Sequence, residues 1–406
     1  MVVRGADTTI RYRCGMRIRG NSSRSYQFKP LRIIIPNDDL WDGASVFALN
    51  PKASFLQFLG ARAFQVAGVR NSDSIPVELR RNGIESATSS GTTPDYGKWA
   101  RLEDENGDLV NTHWPAANGG NLSKKIDEGG GLNFYWRTGQ TAPATPDLLL
   151  DGWSKQNNSS LNDWSDLTAF FQVWQAAARP HFTNNSPTDV SGSNATRISG
   201  IGTWNSTAFS AAEITSVETV ADLDQWARWF AVMTILQDLE TKISNGVDDD
   251  YAAYFIPAAG GQRRMQLVAH DLDTILGHGD DQQAFNYTGL YDMCEGGQSG
   301  YTFRSLLPLF GTTGVAGNAA FRTKYFTAIR ELYGSVFNAD TGTSANPAFH
   351  QFIDNHLTGW VPATTIADMK LFATQRQAYL LGLIGSGAIM PPAPRPRRRS
   401  RTRRAA

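Results

Sequence analysis

The sequence predicts a two-lobed α+β protein, in which a strand-rich N-terminal lobe is joined by a glycine-rich hinge to a mainly helical C-terminal lobe. Apolar and polar residues alternate near the N-terminus, as in strands, whereas apolar residues in the second half recur at helical spacing. A third observation is an apolar run that ends in Asp271 and Asp273 and then turns at Gly277. The predicted boundaries are 1–135 for the N-terminal lobe, 136–160 for the hinge, 161–388 for the C-terminal lobe and 389–406 for a disordered tail rich in proline and arginine.

The composition is that of a folded protein with a sizeable core. The chain has 406 residues, of which 41% are hydrophobic and 11% aromatic, which excludes a largely disordered protein. This length predicts two or three structural units. The sequence contains no run of about 18 apolar residues, so no membrane-spanning segment is expected.

The basic residues are unevenly distributed. Seven of the 38 basic residues lie in the tail, which has no acid, so the rest of the chain carries a net charge of about −7. Such a tail suits contact with an anionic surface, with nucleic acid or with the acidic face of the same chain, and a solvated tail without a partner is the simpler alternative. Specific nucleic-acid binding is not expected. The seven residues are Arg395, Arg397, Arg398, Arg399, Arg401, Arg403 and Arg404.

The two cysteines and the N-terminus leave the cellular compartment open. Cys14 and Cys294 are too few for a metal cluster or a disulfide framework, and a single bridge between them is neither implied nor excluded. No signal peptide is visible, and the chain begins in strand-like sequence, as a fragment of a longer protein would. A secreted or cell-surface location is expected for a fragment, and a cytoplasmic one otherwise.

The first part contains strands and one helix. A polar loop at 20–25 separates the second strand from the third. Apolar residues on one face predict a helix over 53–67, and Gly68 is placed to end it. The strands are predicted at 9–13, 16–19, 31–35, 75–79 and 99–103.

The second part is predicted to be mostly helical. The stretch 115–160 is rich in Gly, Asn, Ser, Thr and Pro, as in a linker, and 183–217 is a polar insert expected at the surface. An amphipathic helix is predicted over 222–240, with a capping signal at 219–222. Two short strands follow at 251–256 and 264–269, and further helices are predicted at 302–310, 319–334, 347–357 and 363–383.

The paired acids after the second of these strands are typical of a cation site. In an extended segment, residues two apart point the same way, so Asp271 and Asp273 would present four oxygens to one cation. Mg²⁺ is commonly held by one or two carboxylates together with substrate phosphates. The alternative is a strand that simply ends in an acidic turn.

Three segments resemble motifs of the spore-coat protein H (CotH) family of atypical kinases. The run 15–24 with Lys29 resembles the family's opening signature, R-x-R-G-x-S-S-R followed by a lysine. Residues 120–124 are similar to its G-N-L-Y-K segment, with Ser123 in place of Tyr, and 270–277 resemble its W-D-x-D-x-x-F/W-G motif. The resemblance spans about residues 9–335. It implies a protein-kinase-like fold, ATP with Mg²⁺ or Mn²⁺, and phosphorylation of Ser or Thr in a protein substrate, which includes the chain itself.

The resemblance assigns the phosphate-binding residues to the N-terminal lobe. The loop would cover the phosphates with Arg19, Ser22, Ser23 and Arg24, and Lys29 would contact the α- and β-phosphates. An ordinary hairpin loop and a solvated strand lysine are the simpler alternatives.

The same resemblance implies a glutamate partner for this lysine. Glu103 lies four residues after Trp99, as in the family's Y-x-x-x-E segment, and Asp104 and Glu105 are nearby competitors. An exposed acid in a turn is the alternative for Glu103.

The resemblance also implies catalytic and metal-binding acids in the second half. Asp238, at the end of the amphipathic helix, would orient the acceptor hydroxyl and take its proton, and an ordinary acid at a helix end is the alternative. Asp250 would hold a second metal ion, and a solvated run of acids is the alternative there. Asp271 would be the main Mg²⁺ ligand, and Asp273 would be a second ligand or a structural acceptor. His270 replaces the usual Trp and is expected to pack.

Three functional classes follow from these residues. Leu276 and Ser123 replace aromatic residues of the family, but no charged role is vacant, which favours an active protein Ser/Thr kinase. The alternative is a catalytically inactive kinase-like protein of surface or coat assembly. A metal-dependent hydrolase is a third class, and it is disfavoured because no His-rich set such as H-E-x-x-H is present.

Overall fold

The computed structural model describes thirteen stretches of the chain. Asp250, Ser22, Ser23 and the predicted tail lie outside them. The described residues are 1–4, 8–20, 24, 28–85, 89–90, 93–94, 96–125, 153–161, 163–183, 203–239, 251–295, 304–337 and 349–385.

The first sheet is a five-stranded antiparallel sheet with the order β3-β4-β5-β11-β6. Its alternating apolar residues explain the register, because Ile33 lies opposite Phe47 and both are buried. The strands before and within this region are β1 (Val2–Arg4), β2 (Thr8–Ile10), β3 (Gly15–Ile18), β4 (Leu31–Ile34), β5 (Val46–Asn50), β6 (Ser74–Val77), β7 (Arg80–Arg81), β8 (Ile84–Glu85), β9 (Ser89–Ser90), β10 (Thr93–Pro94) and β11 (Trp99–Glu103).

The second sheet has four antiparallel strands in the order β13-β12-β14-β15. Two of these strands lie in the stretch that the sequence assigns to a linker, and β13 falls inside the predicted hinge over 136–160. Residues 136–152 lie outside the described part. The linker prediction is therefore wrong for these two strands, because β12 pairs with β14 on one side and with β13 on the other, and this pairing overrides a polar local composition. The strands are β12 (Asn121–Lys125), β13 (Trp153–Lys155), β14 (Tyr251–Pro257) and β15 (Arg263–Ala269).

The second half of the chain is mainly helical, so the described residues form a mixed α+β structure. Within the described residues, the helices predicted from apolar spacing are present, but the one predicted over 302–310 is a 3-10 turn at Arg304–Leu306 followed by a four-residue α-helix. The predicted polar insert over 183–217 also contains a helix, α4, within its described part. The helices are α1 (Ser54–Val66), α2 (Gly107–His113), α3 (Ser165–Ala178), α4 (Ala211–Glu218), α5 (Leu223–Leu236), α6 (Asp292–Glu295), α7 (Leu307–Phe310), α8 (Ala319–Glu331), α9 (His350–Leu357) and α10 (Ala363–Ile384).

Helix α1 ends as the sequence predicts. Gly68 has a φ of 74°, which glycine adopts without strain. Its N–H donates to the carbonyl of Gln65 (2.9 Å), and the Val69 N–H donates to the carbonyl of Phe64 (3.0 Å). These two bonds form a Schellman motif, which satisfies carbonyls at the end of the helix.

The largest core joins α1 to the helices of the second half. Phe64 of α1 packs on Trp229 of α5 with ring centroids 6.2 Å apart, and both rings are fully buried. The first sheet has a smaller cluster of its own, built around Phe47 and Trp99. Helix α1 therefore belongs to the main core, although it lies in the N-terminal part of the sequence.

Neither cysteine is joined to the other. The thiol of Cys14 lies 3.7 Å from the carbonyl of Arg11, and that of Cys294 donates to the carbonyl of Tyr291 at 3.3 Å. None of the described helices has the length and apolar character to cross a membrane.

Gly60 brings α1 into close contact with the turn that follows β15. A Cβ atom at this position would lie 2.8 Å from the Cβ of Leu272 and 3.4 Å from a methyl group of Ile275. Only glycine leaves room for this turn, which contains Asp271 and Asp273.

We expect the substitution Gly60→Ala to lower the free energy of unfolding by about 1–3 kcal/mol, because the added methyl group overpacks the contact with Leu272. The matched control is Gly382→Ala in α10, where a Cβ meets no atom within 4 Å. That change should stabilise the protein by about 0.5–1 kcal/mol through helix propensity. Urea denaturation followed by circular dichroism measures both, and equal effects at the two sites would contradict the packing argument.

Candidate active site

A cleft lies where β11, α1 and the end of β15 meet. The space that it encloses for a water-sized molecule is about 30 Å³, which accommodates one or two waters or an ion. Its lining is rich in carboxylates and also carries arginine and histidine. The lining residues are Arg19, Gln57, Ala61, Asn71, Ser72, Leu102, Glu103, Asp104, Glu105, Ala269, His270, Asp271 and Leu272.

Asp271 is fixed on the cleft wall by helix α1. The amide of Gln57 donates to Asp271 Oδ1 at 2.6 Å and accepts from the Leu272 N–H at 3.2 Å. Asp271 has a φ of 54°, a left-handed conformation that is uncommon for residues other than glycine. The extended geometry expected for Asp271 and Asp273 is therefore wrong, because β15 ends at Ala269 and the chain turns.

Asp271 favours its charged form in this partly buried position. Burial alone would raise the pKa of the carboxyl, but His270, Lys52 and the hydrogen bond from Gln57 outweigh it and hold the pKa below its usual range. A partly buried carboxylate with a lowered pKa is suited to holding a cation.

Asp273 is bound by a lysine that the sequence did not single out. Lys52 follows β5, and its Nζ lies 2.8 Å from Asp273 Oδ2 and 2.5 Å from Asp280 Oδ2. Burial opposes the charge of Lys52, but these carboxylates and Asp271 raise its pKa above the ordinary value. One ammonium group thus lies in the field of three carboxylates.

A second lysine, which is partly buried, also lies near Asp271. Lys124 of β12 contacts Glu105 Oε2 at 3.1 Å and His270 Nε2 at 2.5 Å, and His270 Nδ1 contacts Glu105 Oε1 at 2.6 Å. Burial would raise the pKa of Glu105, but His270 and Lys124 hold it far below its usual value. His270 thus contacts two charged groups, beyond the packing role expected from the sequence.

Glu103 has a different partner from the one predicted. Its Oε2 lies 2.6 Å from His113 Nε2 and accepts from the Asp73 N–H at 3.1 Å. The Lys29 ammonium instead donates to the carbonyl of Arg24 at 2.7 Å. The Lys29–Glu103 pair is thus not formed, and Lys124–Glu105 is the lysine–glutamate pair at the cleft.

Of the predicted phosphate-loop residues that the structure describes, only Arg19 lies at the cleft. Arg19 lines the cleft, next to Asp104, which also pairs with Arg32 at 2.6 Å. Arg24 is exposed to solvent, and neither it nor Lys29 is among the described residues that line the cleft.

Asp238 lies close to the acidic turn. Helix α5 ends at Leu236, and Gln237 takes a left-handed conformation with a φ of 49°. The Leu239 N–H donates to the carbonyl of Thr274 at 3.1 Å, which places buried Asp238 beside the turn.

Three polar residues near the site belong to no sequence motif: Lys52, Gln57 and Asp280. Their partners are distant in the sequence for Lys52 and Gln57, and Gln57 bonds to a residue 214 positions away. Lys124 lies in the motif at 120–124 and Glu105 lies next to the predicted Glu103 segment. Their ion pair is visible only in the folded structure, because it joins two segments that are apart in the sequence.

Comparison with known proteins adds no assignment. No protein-family model matches the chain, and no curated protein matches it.

We expect Glu105→Gln to lower the free energy of unfolding at pH 7 by about 3 kcal/mol, because Lys124 is left buried without its carboxylate. The pKa of Glu105 lies below its usual value of 4.5, so its contribution to stability is present above that pH and is lost as the pH falls. The variant should therefore lose less stability than the parent during acidification. Urea unfolding at a series of pH values measures this.

The matched control is Glu218→Gln, which removes a half-exposed glutamate 3.5 Å from Lys324. It should change stability by less than about 1 kcal/mol. A parallel acid dependence for Glu105→Gln and the parent protein would contradict the assigned pKa shift.

Proposed function

We propose that the chain is an atypical protein kinase of the CotH type, with a two-lobed protein-kinase-like fold. It transfers the γ-phosphate of ATP, with Mg²⁺ or Mn²⁺, to Ser or Thr of a protein, and its own hydroxyls are among the acceptors. The observation that carries the proposal is the setting of Asp271. Its side chain is partly buried, its pKa lies below the usual range, its backbone is left-handed, and the pairs Lys52–Asp273 and Lys124–Glu105 lie nearby.

The backbone of Asp271 is held in place by helix α1. A left-handed conformation is uncommon for residues other than glycine, although aspartate adopts it more readily than most, and at active sites such residues are supported by the surrounding structure. Here Gln57 supplies that support through its two hydrogen bonds to Asp271 and Leu272.

The residues at the cleft fit a hard divalent cation. Carboxylate and amide oxygens are the ligands that Mg²⁺ prefers. The ammonium of Lys52 contacts both Asp273 and Asp280. These carboxylates therefore stabilise a positive charge at this position. In this proposal Asp271 and Asp273 would hold the metal ion, and Asp250 remains a predicted ligand. Mg²⁺–ATP would supply the phosphoryl group and neutralise part of its charge.

The protein groups would then position the reactants. Lys124, oriented by Glu105 and His270, would contact phosphate oxygens, and Arg19 would do so from the other side of the cleft. Asp238 would orient the acceptor hydroxyl and accept its proton. The enclosed space of about 30 Å³ is smaller than a nucleotide, so binding requires the cleft to widen between β11 and the end of β15.

A catalytically inactive assembly protein is the second candidate. Two observations favour it: the small space in the cleft, and the neutralisation of Asp273 and Asp280 by Lys52. In this case the charged groups would stabilise the fold, and the chain would act in surface or coat assembly. A thermal-shift titration with Mg²⁺–ATP separates the candidates, because ligand at 100 times its Kd stabilises a protein by about 2.7 kcal/mol.

We expect Asp271→Asn to reduce incorporation of labelled phosphate from ATP by more than about 100-fold, because it removes the metal-binding charge. Asparagine tolerates the left-handed backbone, so the melting temperature should remain close to that of the parent. Asp224→Asn is the control, since the Asp224 side chain is 79% exposed and pairs with Lys324. Equal incorporation by Asp271→Asn and the parent protein would refute the role of Asp271.

We further expect Lys124→Met to reduce phosphate incorporation by about 100-fold or more, and Lys29→Met by less than about 10-fold. The reason is that Lys124 lies beside Asp271's neighbour His270, whereas Lys29 contacts the Arg24 carbonyl. Folding of both variants is checked by circular dichroism, and His270 continues to bind Glu105 in Lys124→Met. The opposite order of effects would return the phosphate role to Lys29.

A further inference from the structure

Three side chains that commonly bind metals converge at the edge of the cleft. Asp73 precedes β6, Glu103 ends β11 and His113 ends α2, and one ligand atom of each lies within 4.8 Å of the others. All three side chains are partly buried. Glu103 also lines the cleft, whereas the acidic turn of Asp271 is a separate set of carboxylates.

The backbone holds these residues in place. The Glu103 N–H donates to the carbonyl of Asp73 at 2.8 Å, and the Asp73 N–H donates to Glu103 Oε2 at 3.1 Å. Helix α2 is anchored by Asn106, whose Oδ1 accepts from the Asp108 N–H at 2.8 Å. A site whose ligands are fixed by the fold needs little reorganisation when it binds an ion.

The charges at this site favour a cation. Two carboxylates meet in partly buried surroundings beside one imidazole. The like charges of Asp73 and Glu103 repel each other more strongly in these partly buried surroundings than they would in water. A divalent ion would relieve this repulsion by neutralising both carboxylates.

A second observation comes from Asn71, two residues before Asp73. Its side chain is 2% exposed and lines the same cleft as Glu103, yet its Oδ1 accepts no hydrogen bond from any described residue. A buried carbonyl oxygen without a donor is costly, and such groups commonly bind an ion or an ordered water. This oxygen lies on the cleft that Glu103 also lines, where it could accept a hydrogen bond from a water.

We propose that Asp73, Glu103 and His113 bind a divalent transition-metal ion, with Zn²⁺ as the preferred ion, and that the fourth position holds water. One imidazole and two carboxylates are a ligand set that Zn²⁺ accepts, whereas Mg²⁺ and Ca²⁺ prefer oxygen ligands alone. The His113–Glu103 contact of 2.6 Å would open to about 3.3 Å, the separation of ligands around Zn²⁺ at bond lengths of about 2.0–2.1 Å. The ion would tie α2 to β6 and β11.

The test is a titration of the metal-stripped, full-length protein with Zn²⁺ by isothermal calorimetry, in excess Mg²⁺ and without nucleotide. Co²⁺ titration followed by visible absorption reports the ligand geometry. We expect one Zn²⁺ to bind, and His113→Ala and Asp73→Asn each to weaken binding by about 100-fold or more, since even the loss of outer-shell groups costs about 10–100-fold.

His181→Ala is the matched control. His181 also contacts a carboxylate, Glu213 Oε1 at 3.2 Å, together with the hydroxyl of Thr207. Its removal should leave the Zn²⁺ affinity unchanged. Circular dichroism confirms that each variant is folded, and two different ligand variants guard against the misfolding of one.

Three outcomes would overturn the proposal. They are no Zn²⁺ binding by the parent protein, equal binding by the parent and both ligand variants, and binding that survives His113→Ala but is lost in Asp271→Asn. The last result would assign the ion to the acidic turn. The proposed kinase activity is measured separately with ATP, so either hypothesis can fail without the other.

Discussion

The contact between helix α1 and the turn after β15 is the constraint on which the candidate site depends. Gly60 lets the helix approach Leu272, and Gln57, one turn earlier in α1, binds both Asp271 and the next residue. The same helix packs in the main core, where Phe64 meets Trp229. A residue in a strained backbone conformation is thus supported from the largest hydrophobic cluster of the protein. Without these contacts, nothing in α1 would hold Asp271 in its left-handed conformation.

Charge balance is the second principle of the site. Two lysines near the acidic turn each contact more than one partner: Lys52 contacts Asp273 and Asp280, and Lys124 contacts Glu105 and His270. Such clusters are costly to assemble and costlier to break, because removal of one member strands the others in a poorly solvated place. Proteins retain them where function or a unique arrangement requires them, and here they surround one carboxylate. This pattern agrees with phosphoryl transfer, which needs positioned charge more than covalent chemistry.

Local sequence patterns predicted the helices and strands, whereas contacts between residues distant in the sequence determine the arrangement of the candidate site. The helix over 53–67, its end at Gly68 and the strand before Ala269 follow from apolar spacing and glycine chemistry, and all three are confirmed. The polar composition around 121–125 predicts a linker, whereas the segment forms a strand because it pairs with β14. The lysine partner of Asp273 lies more than 200 residues away in sequence, and no period or motif marks it. Sequence therefore located Asp271 and Asp273 but not Lys52 and Asp280, which complete their ion-pair cluster.

The left-handed backbone at Asp271 also bears on how this site could change over time. Asparagine and glycine adopt that conformation more readily than alanine and the branched residues do. The replacements that the fold accepts most easily at this position therefore abolish the charge while preserving the shape. A related chain could pass from a charged to a neutral cleft in one step and remain folded, so shape alone would be a poor guide to activity among its relatives.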